Sequence, residues 1–74
     1  MNKYILTRHA KERMRERNIS EKEVEKALRN PDINYPGKRG EINIIKQIKE
    51  DKKIRVDYRE EKTQKIIITA IVIN

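Results

Sequence analysis

The sequence predicts an α+β fold in which two short helices pack on one face of an antiparallel sheet of three to four strands. Two N-terminal segments carry helix-capping patterns, and three later segments are rich in isoleucine. The links between these later segments are short and polar, which suits hairpins in an antiparallel meander. With 74 residues, the chain has room for one domain, residues 1–74, with the order β-α-α-β-β-β.

The first strand and the first helix are predicted at the N-terminus. Tyr4–Leu6 is a short apolar stretch typical of a strand. Thr7 can cap the helix that follows, because its hydroxyl can accept a free backbone N–H of the first turn. Ala10 and Met14 share one helical face, which we expect to turn toward the core. Asn18 suits the left-handed position that ends a helix.

The second helix has the stronger start signal. Ser20 and Glu23 form a capping box, in which each side chain bonds the backbone N–H of the other residue. Ile19 and Val24 flank the cap and can form a hydrophobic staple. Asn30-Pro31 ends the helix, because the residue before a proline disfavours helical geometry.

Three strand candidates follow a basic loop at Pro36–Gly40. The candidates are Ile42–Ile48, Ile54–Arg59 and Lys65–Ile73. In the middle candidate Ile54, Val56 and Tyr58 alternate with polar residues, which predicts one buried face. The last candidate is apolar on both faces if it alternates strictly, with Ile66, Ile68, Ala70 and Val72 opposite Ile67, Thr69, Ile71 and Ile73. We therefore expect Tyr4–Leu6 or a second subunit to cover part of its other face.

The charge balance points to a polyanionic partner. The 19 Lys and Arg residues outnumber the 12 Asp and Glu residues, and the formal net charge is +7. Such an excess is expected of a nucleic-acid-binding protein. A chain that is 42% charged also resembles heat-adapted proteins, whose surfaces carry ion-pair networks. Composition alone leaves both interpretations open.

Several function classes are excluded by composition. The sequence contains no cysteine, so disulfides, thiol catalysis and thiolate metal sites are excluded, and one histidine disfavours a zinc site. No apolar run approaches the ~20 residues of a membrane span, and no signal-peptide pattern is visible. We expect a cytoplasmic protein that needs no membrane, metal or cofactor.

His9 is the first candidate for proton transfer. It is the only histidine and lies in the first turn of the first predicted helix. Histidine is the one side chain whose ordinary pKa is near neutrality. Arg13 lies one turn further and could stabilise the pentavalent phosphate that forms when the 2′-hydroxyl of RNA attacks the chain. Alternatively, His9 only caps or packs, and Arg13 pairs with a neighbouring glutamate.

A second candidate site is the polar face of the middle strand. Arg55, Asp57 and Arg59 share this face, and Thr69 could join them from the last strand. The face could bind phosphate, or it could be a solvated surface on which Asp57 pairs with the arginines. Further candidates for binding the nucleic-acid backbone are Arg17, Arg39 and Lys46.

Three segments carry a resemblance to a known family. Thr7–Val24, Ile54–Glu60 and Ile66–Val72 resemble the family catalogued as domain of unknown function 4258. The resemblance covers nearly the whole chain, and its most specific part is a His-Ala-x-x-Arg-Met helix followed by Arg-x-Ile-Ser. Asn18 stands where glycine is usual in the family. The positions of this chain that match polar positions of the family are His9, Arg13, Arg17, Arg55 and Thr69.

The resemblance also implies a function. The family's order of elements is similar to that of RelE/ParE-like toxins, and the family is grouped with metal-independent ribonucleases. By this resemblance the chain is a RelE-like endoribonuclease, the toxin of a toxin–antitoxin pair. His9 would be the general acid or base, and Arg13 and Arg55 would stabilise the phosphate. The RNA backbone would be held by Arg17, Arg39, Lys46 and Arg59.

Two alternatives belong to other functional classes. One is a non-catalytic module that binds RNA or docks a protein through the same basic face. The other is an interaction protein that dimerises through the outer face of Lys65–Ile73. The partners expected across these interpretations are RNA, a cognate antitoxin and a second copy of the chain.

Overall fold

A computed structural model describes residues 3–73 and shows two helices and five strands in that range. In chain order they are β1 (Lys3–Leu6), α1 (Arg8–Glu16), α2 (Glu21–Arg29), β2 (Ile33–Pro36), β3 (Ile42–Lys49), β4 (Lys52–Glu61) and β5 (Gln64–Val72). The predicted α+β fold is confirmed. The sheet has one strand more than the three to four that the sequence predicts.

The strands form a single sheet in the order β1-β5-β4-β3-β2. Strands β2 to β5 are an antiparallel meander, and β1 is parallel to β5 at one edge. The unpredicted strand, β2, is the opposite edge and ends at Pro36, a residue that the sequence places in a loop. Proline is tolerated there because an edge strand has no outer partner for its backbone N–H.

The cap residues set the helix boundaries as predicted. The hydroxyl of Thr7 accepts the N–H of Ala10 at 3.1 Å at the start of α1. In the capping box of α2, the N–H of Glu23 donates to Ser20 Oγ at 3.2 Å, and the N–H of Ser20 donates to Glu23 Oε1 at 2.9 Å. Ile19 and Val24 are both buried beside this cap.

Both helices pack on one face of the sheet, which we call the inner face, and this packing forms the core. The fully buried residues of this face include Ile44, Ile54, Val56, Ile67 and Ala70. We call the other face the outer face. By strand register it carries Ile5, Ile33, Tyr35, Asn43, Ile45, Gln47, Lys53, Arg55, Asp57, Arg59, Ile66, Thr69 and Ile71.

A β-bulge changes the side-chain pattern of β5. Asp57 pairs with Thr69, but the next residue, Tyr58, pairs with Ile67, so Ile68 is an extra residue. Ile67 and Ala70 are therefore both fully buried on the inner face although they are three positions apart. The strict alternation predicted for Lys65–Ile73 is wrong for this reason.

The outer face is left open by the N-terminal strand. Tyr4–Leu6 lies beside β5 in the plane of the sheet, with Leu6 in register with Ile67. The expectation that this strand covers the second face of β5 is therefore wrong. Neither α1 nor α2 covers that face, because both pack on the inner one.

Candidate nucleic-acid interface

Helix α1 presents a cationic surface on its side away from the sheet. Ala10 and Met14 face the core and are buried, so most of the remaining residues point outward. Residues 8–17 contain five cations and two glutamates. We call the α1 surface the set formed by Arg8, His9, Lys11, Arg13, Arg15 and Arg17. Its five cations outnumber the two glutamates of residues 8–17 by three.

His9 and Arg13 are in contact on this surface. Nε of Arg13 donates to Nε2 of the exposed His9 at 3.4 Å. Nη1 of Arg13 donates to Oε1 of Glu16 at 2.9 Å, and Nη1 of Arg17 lies 3.6 Å from the same oxygen. The third guanidinium nitrogen of Arg13 has no partner among residues 3–73. Arg13 is thus held beside His9 with one donor group available for a ligand.

Two cations of the α1 surface were not among the binding residues predicted from the sequence. Lys11 and Arg15 are exposed and have no ion pair or hydrogen-bonded side-chain partner within the described residues. Arg8 pairs instead with Glu12, at 3.5 Å. The signal was available for Lys11, because no acidic residue lies three or four positions from it, whereas Arg15 has Glu12 three positions away.

Arg55 does not join His9 and Arg13. It lies on the outer face, whereas α1 packs on the inner face. Its Nε and Nη2 bind the two carboxylate oxygens of Asp57 at 3.1 and 3.3 Å. Burial raises the pKa of Asp57 above its usual range, although the Arg55 guanidinium opposes this shift. The predicted set of His9, Arg13 and Arg55 is therefore divided between opposite sides of the sheet.

The other predicted binding residues are also dispersed. Arg17 belongs to the α1 surface, and Arg59 lies on the outer face, 3.8 Å from Glu61. Arg39 lies in the loop between β2 and β3, where its N–H donates to Glu41 at 2.9 Å. Lys46 is in register with buried Ile54 on the inner side and pairs with Asp32 at 3.4 Å. No single surface holds these four residues together.

The predicted polar face of the middle strand is present, with Thr69 beside it on the last strand. Thr69 is in register with Asp57, as the sequence suggested, and Asp57 is in register with Asn43 on its other side. Asn43 and Asp57 are both buried although the helices do not cover them. The outer face thus has a polar row at its centre, with isoleucines in the neighbouring rows.

Two further properties bear on the chemistry. Among residues 3–73 there is no group of three His, Cys, Asp or Glu side chains that could hold a metal ion. Within the same range, neither helix is long and apolar enough to cross a membrane.

Fold and surface together define a small, basic α+β domain with a cationic helix on one side of its sheet. A family model described as domain of unknown function DUF4258 matches residues 6–72. The chain belongs to this family, as the resemblance implied. No curated protein and no solved structure matches the chain, so the comparisons give no support to the RelE-like part of the resemblance.

Proposed function

We propose that the chain binds RNA in the cytoplasm through the α1 surface. The observation that carries this proposal is the pair of exposed, unpaired cations Lys11 and Arg15, which lie one helical turn apart on α1. Cations without acidic partners attract phosphate strongly, because binding releases the counterions of the nucleic acid. Helix α2 offers no such excess, since residues 21–29 contain three cations and three glutamates.

A second candidate function, cleavage of the bound RNA, is favoured by the contact between His9 and Arg13. In this reaction His9 removes the proton of a 2′-hydroxyl, and the 2′-oxygen attacks the adjacent phosphorus. Arg13 stabilises the added charge on the phosphoryl oxygens. As the bond from phosphorus to the 5′-oxygen breaks, protonated His9 returns the proton to that oxygen. The products are a 2′,3′-cyclic phosphate and a 5′-hydroxyl. A toxin role with a cognate antitoxin is a further extension of this proposal, carried by the resemblance to RelE-like proteins.

The binding proposal predicts a specific effect of charge reversal. Lys11→Glu and Arg15→Glu should each weaken RNA binding. Each should also make the plot of log K against log salt less steep, by an amount that corresponds to about 1 to 2 lost phosphate contacts. The measurement is fluorescence anisotropy with a labelled single-stranded RNA over a salt series. Lys22→Glu is the matched control, because Lys22 is exposed on α2. Unchanged affinity in the Lys11→Glu, Arg15→Glu double variant would contradict the proposal.

The cleavage proposal predicts that His9→Ala lowers the rate by roughly 10²–10⁴ while RNA binding persists, since only proton transfer is lost. Cleavage is followed in the presence of a chelator, and the ends of the products are identified. Arg59→Ala should retain full activity, because Arg59 lies on the outer face. If the His9→Ala protein cleaves as fast as the unchanged protein, His9 is not the proton-transfer group. If no RNA is cleaved at all, the binding function stands without catalysis.

A further inference from the structure

The outer face of the sheet carries exposed isoleucines at both of its edges. Ile33 is 52% exposed at one edge and Ile5 is 44% exposed at the other. Between them, Ile33, Ile45, Arg55 and Ile71 form one continuous row across β2, β3, β4 and β5. Four of the five strands thus contribute to a row that is apolar except for Arg55, and an exposed apolar patch of this kind marks an interface.

The outer face also differs from the rest of the chain in its charge. Arg55 is paired with Asp57, and Arg59 lies close to Glu61, so these two pairs are neutral, and Lys53 adds one positive charge at the end of the face. The chain as a whole has a formal net charge of +7, and much of the excess lies on the α1 surface. Two copies could therefore approach through their outer faces without bringing the two cationic helices together.

We propose that a second copy of this chain covers the outer face, sheet against sheet, around a two-fold axis. Two stacked sheets lie about 10 Å apart when their inward side chains interdigitate, and isoleucine is well suited to such packing. Five strands spaced by about 4.8 Å give a face roughly 24 Å wide. The longer dimensions of the molecule, 34 and 27 Å, leave room for an interface near the ~800 Å² per partner of stable complexes.

RNA fits this face less well than a second copy does. Tyr35 is the one aromatic side chain that the described part of this face offers for base stacking, and it lies on an edge strand; the isoleucines have no flat ring, and stacking carries much of single-strand recognition. The guanidinium of Arg55 is already bound by both oxygens of Asp57. In the proposed dimer the two α1 surfaces point away from the interface, so RNA binding and self-association use separate surfaces.

The experiment compares two substitutions in one edge strand. Ile33 and Asn34 are neighbours in β2, but Ile33 is in register with Ile45 on the outer face and Asn34 with buried Ile44 on the inner face. Both side chains are exposed, so Ile33→Lys and Asn34→Lys should leave the fold intact. Ile5→Lys repeats the test at the opposite edge. Sedimentation without RNA, from low to high micromolar concentration, measures association, and circular dichroism checks folding.

We expect the unchanged protein and Asn34→Lys to sediment with twice the mass of the chain. Ile33→Lys and Ile5→Lys should each weaken association at least about tenfold, because each buries an unpaired ammonium in the interface. A folded, unchanged protein that stays monomeric at all these concentrations overturns the proposal. So does dimerisation that neither substitution weakens, or RNA binding that the outer-face substitutions abolish in a monomer. None of these results depends on whether the α1 surface binds RNA.

Discussion

Asn18 determines how the chain passes from α1 to α2. Its φ angle is 57°, in the left-handed region that only glycine and asparagine adopt at low cost. The N–H of Asn18 donates to the carbonyl of Arg15 at 3.3 Å, and the N–H of Ile19 donates to that of Met14 at 2.8 Å. These two bonds form a Schellman motif and direct Ile19 into the core, where Ser20 can begin the next helix.

This residue gives the first stability prediction. Asn18→Ala should lower the free energy of unfolding by about 1 kcal/mol, because an alanine side chain crowds the backbone at positive φ. Asn18→Gly is the matched control and should change it by no more than about 0.5 kcal/mol. Urea unfolding of the three proteins measures the difference. Equal stability of the Ala and Gly variants would show that the left-handed backbone is not the cause.

His9 and Arg55 lie on opposite sides of the sheet, and this separation could have been predicted from the sequence. The alternation in β4 places Val56 on the face that the helices bury, so its neighbour Arg55 must lie on the opposite face. Charge and family resemblance grouped His9 with Arg55, whereas strand alternation separates them. The contact between Arg13 and His9 was predictable for the same kind of reason, because residues four apart meet on a helix.

At the scale of elements, Lys52 of β4 fastens the junction between the two helices. Its ammonium group donates to the carbonyl of Asn18 at 2.7 Å and to both carboxylate oxygens of Glu23 at 3.0 and 3.2 Å. Burial raises the pKa of Glu23, but the N–H of Ser20 and the Lys52 ammonium outweigh it, so the pKa lies below its usual value. The capping box is therefore tied to the sheet as well as to its own helix.

This junction predicts a pH dependence of stability. A carboxylate with a lowered pKa in the folded state stabilises fully above its ordinary pKa of about 4.3, and the stabilisation is lost as the pH falls through the folded value. Glu23→Gln keeps the cap but loses the charge, so it should cost about 1 kcal/mol at neutral pH and less in acid. Thermal unfolding between neutral and acidic pH measures this.

Glu50→Gln is the matched control for this experiment, because Glu50 is exposed in the turn between β3 and β4. It should leave stability nearly unchanged at every pH. If Glu23→Gln destabilises the protein as much in acid as at neutral pH, the ion pair with Lys52 is not the cause. In acid the unchanged protein also loses this ion pair, because Glu23 is then protonated.

The helices were easier to predict than the sheet, and the reason is physical. Helix boundaries depend on local caps, such as Thr7 and Ser20, that the sequence displays directly. The four-residue strand β2 depends on its partner β3, and the proline at its end, Pro36, indicates a loop rather than a strand. The bulge at Ile68 depends on how β5 meets β4, so no pattern within β5 reveals it.

At the scale of the whole molecule, the sheet separates two surfaces of different character. The α1 surface carries cations on the inner side, and the outer face carries isoleucines around two ion pairs. A chain of this size buries only ~60% of the surface that its unfolded form exposes, so covering one more apolar face would add appreciably to its stability. The excess positive charge can meanwhile remain exposed on the other side, where it repels no second copy.

The first and last strands of the chain are neighbours in the sheet. β1 pairs with β5, α1 packs on β5, and the hydroxyl of Thr7 between them donates to the carbonyl of Ile67, sixty residues further on. Contacts so distant along the chain form only after most of it has been synthesised. A nascent chain from which β5 has not yet emerged therefore lacks the strand that supports its cationic helix.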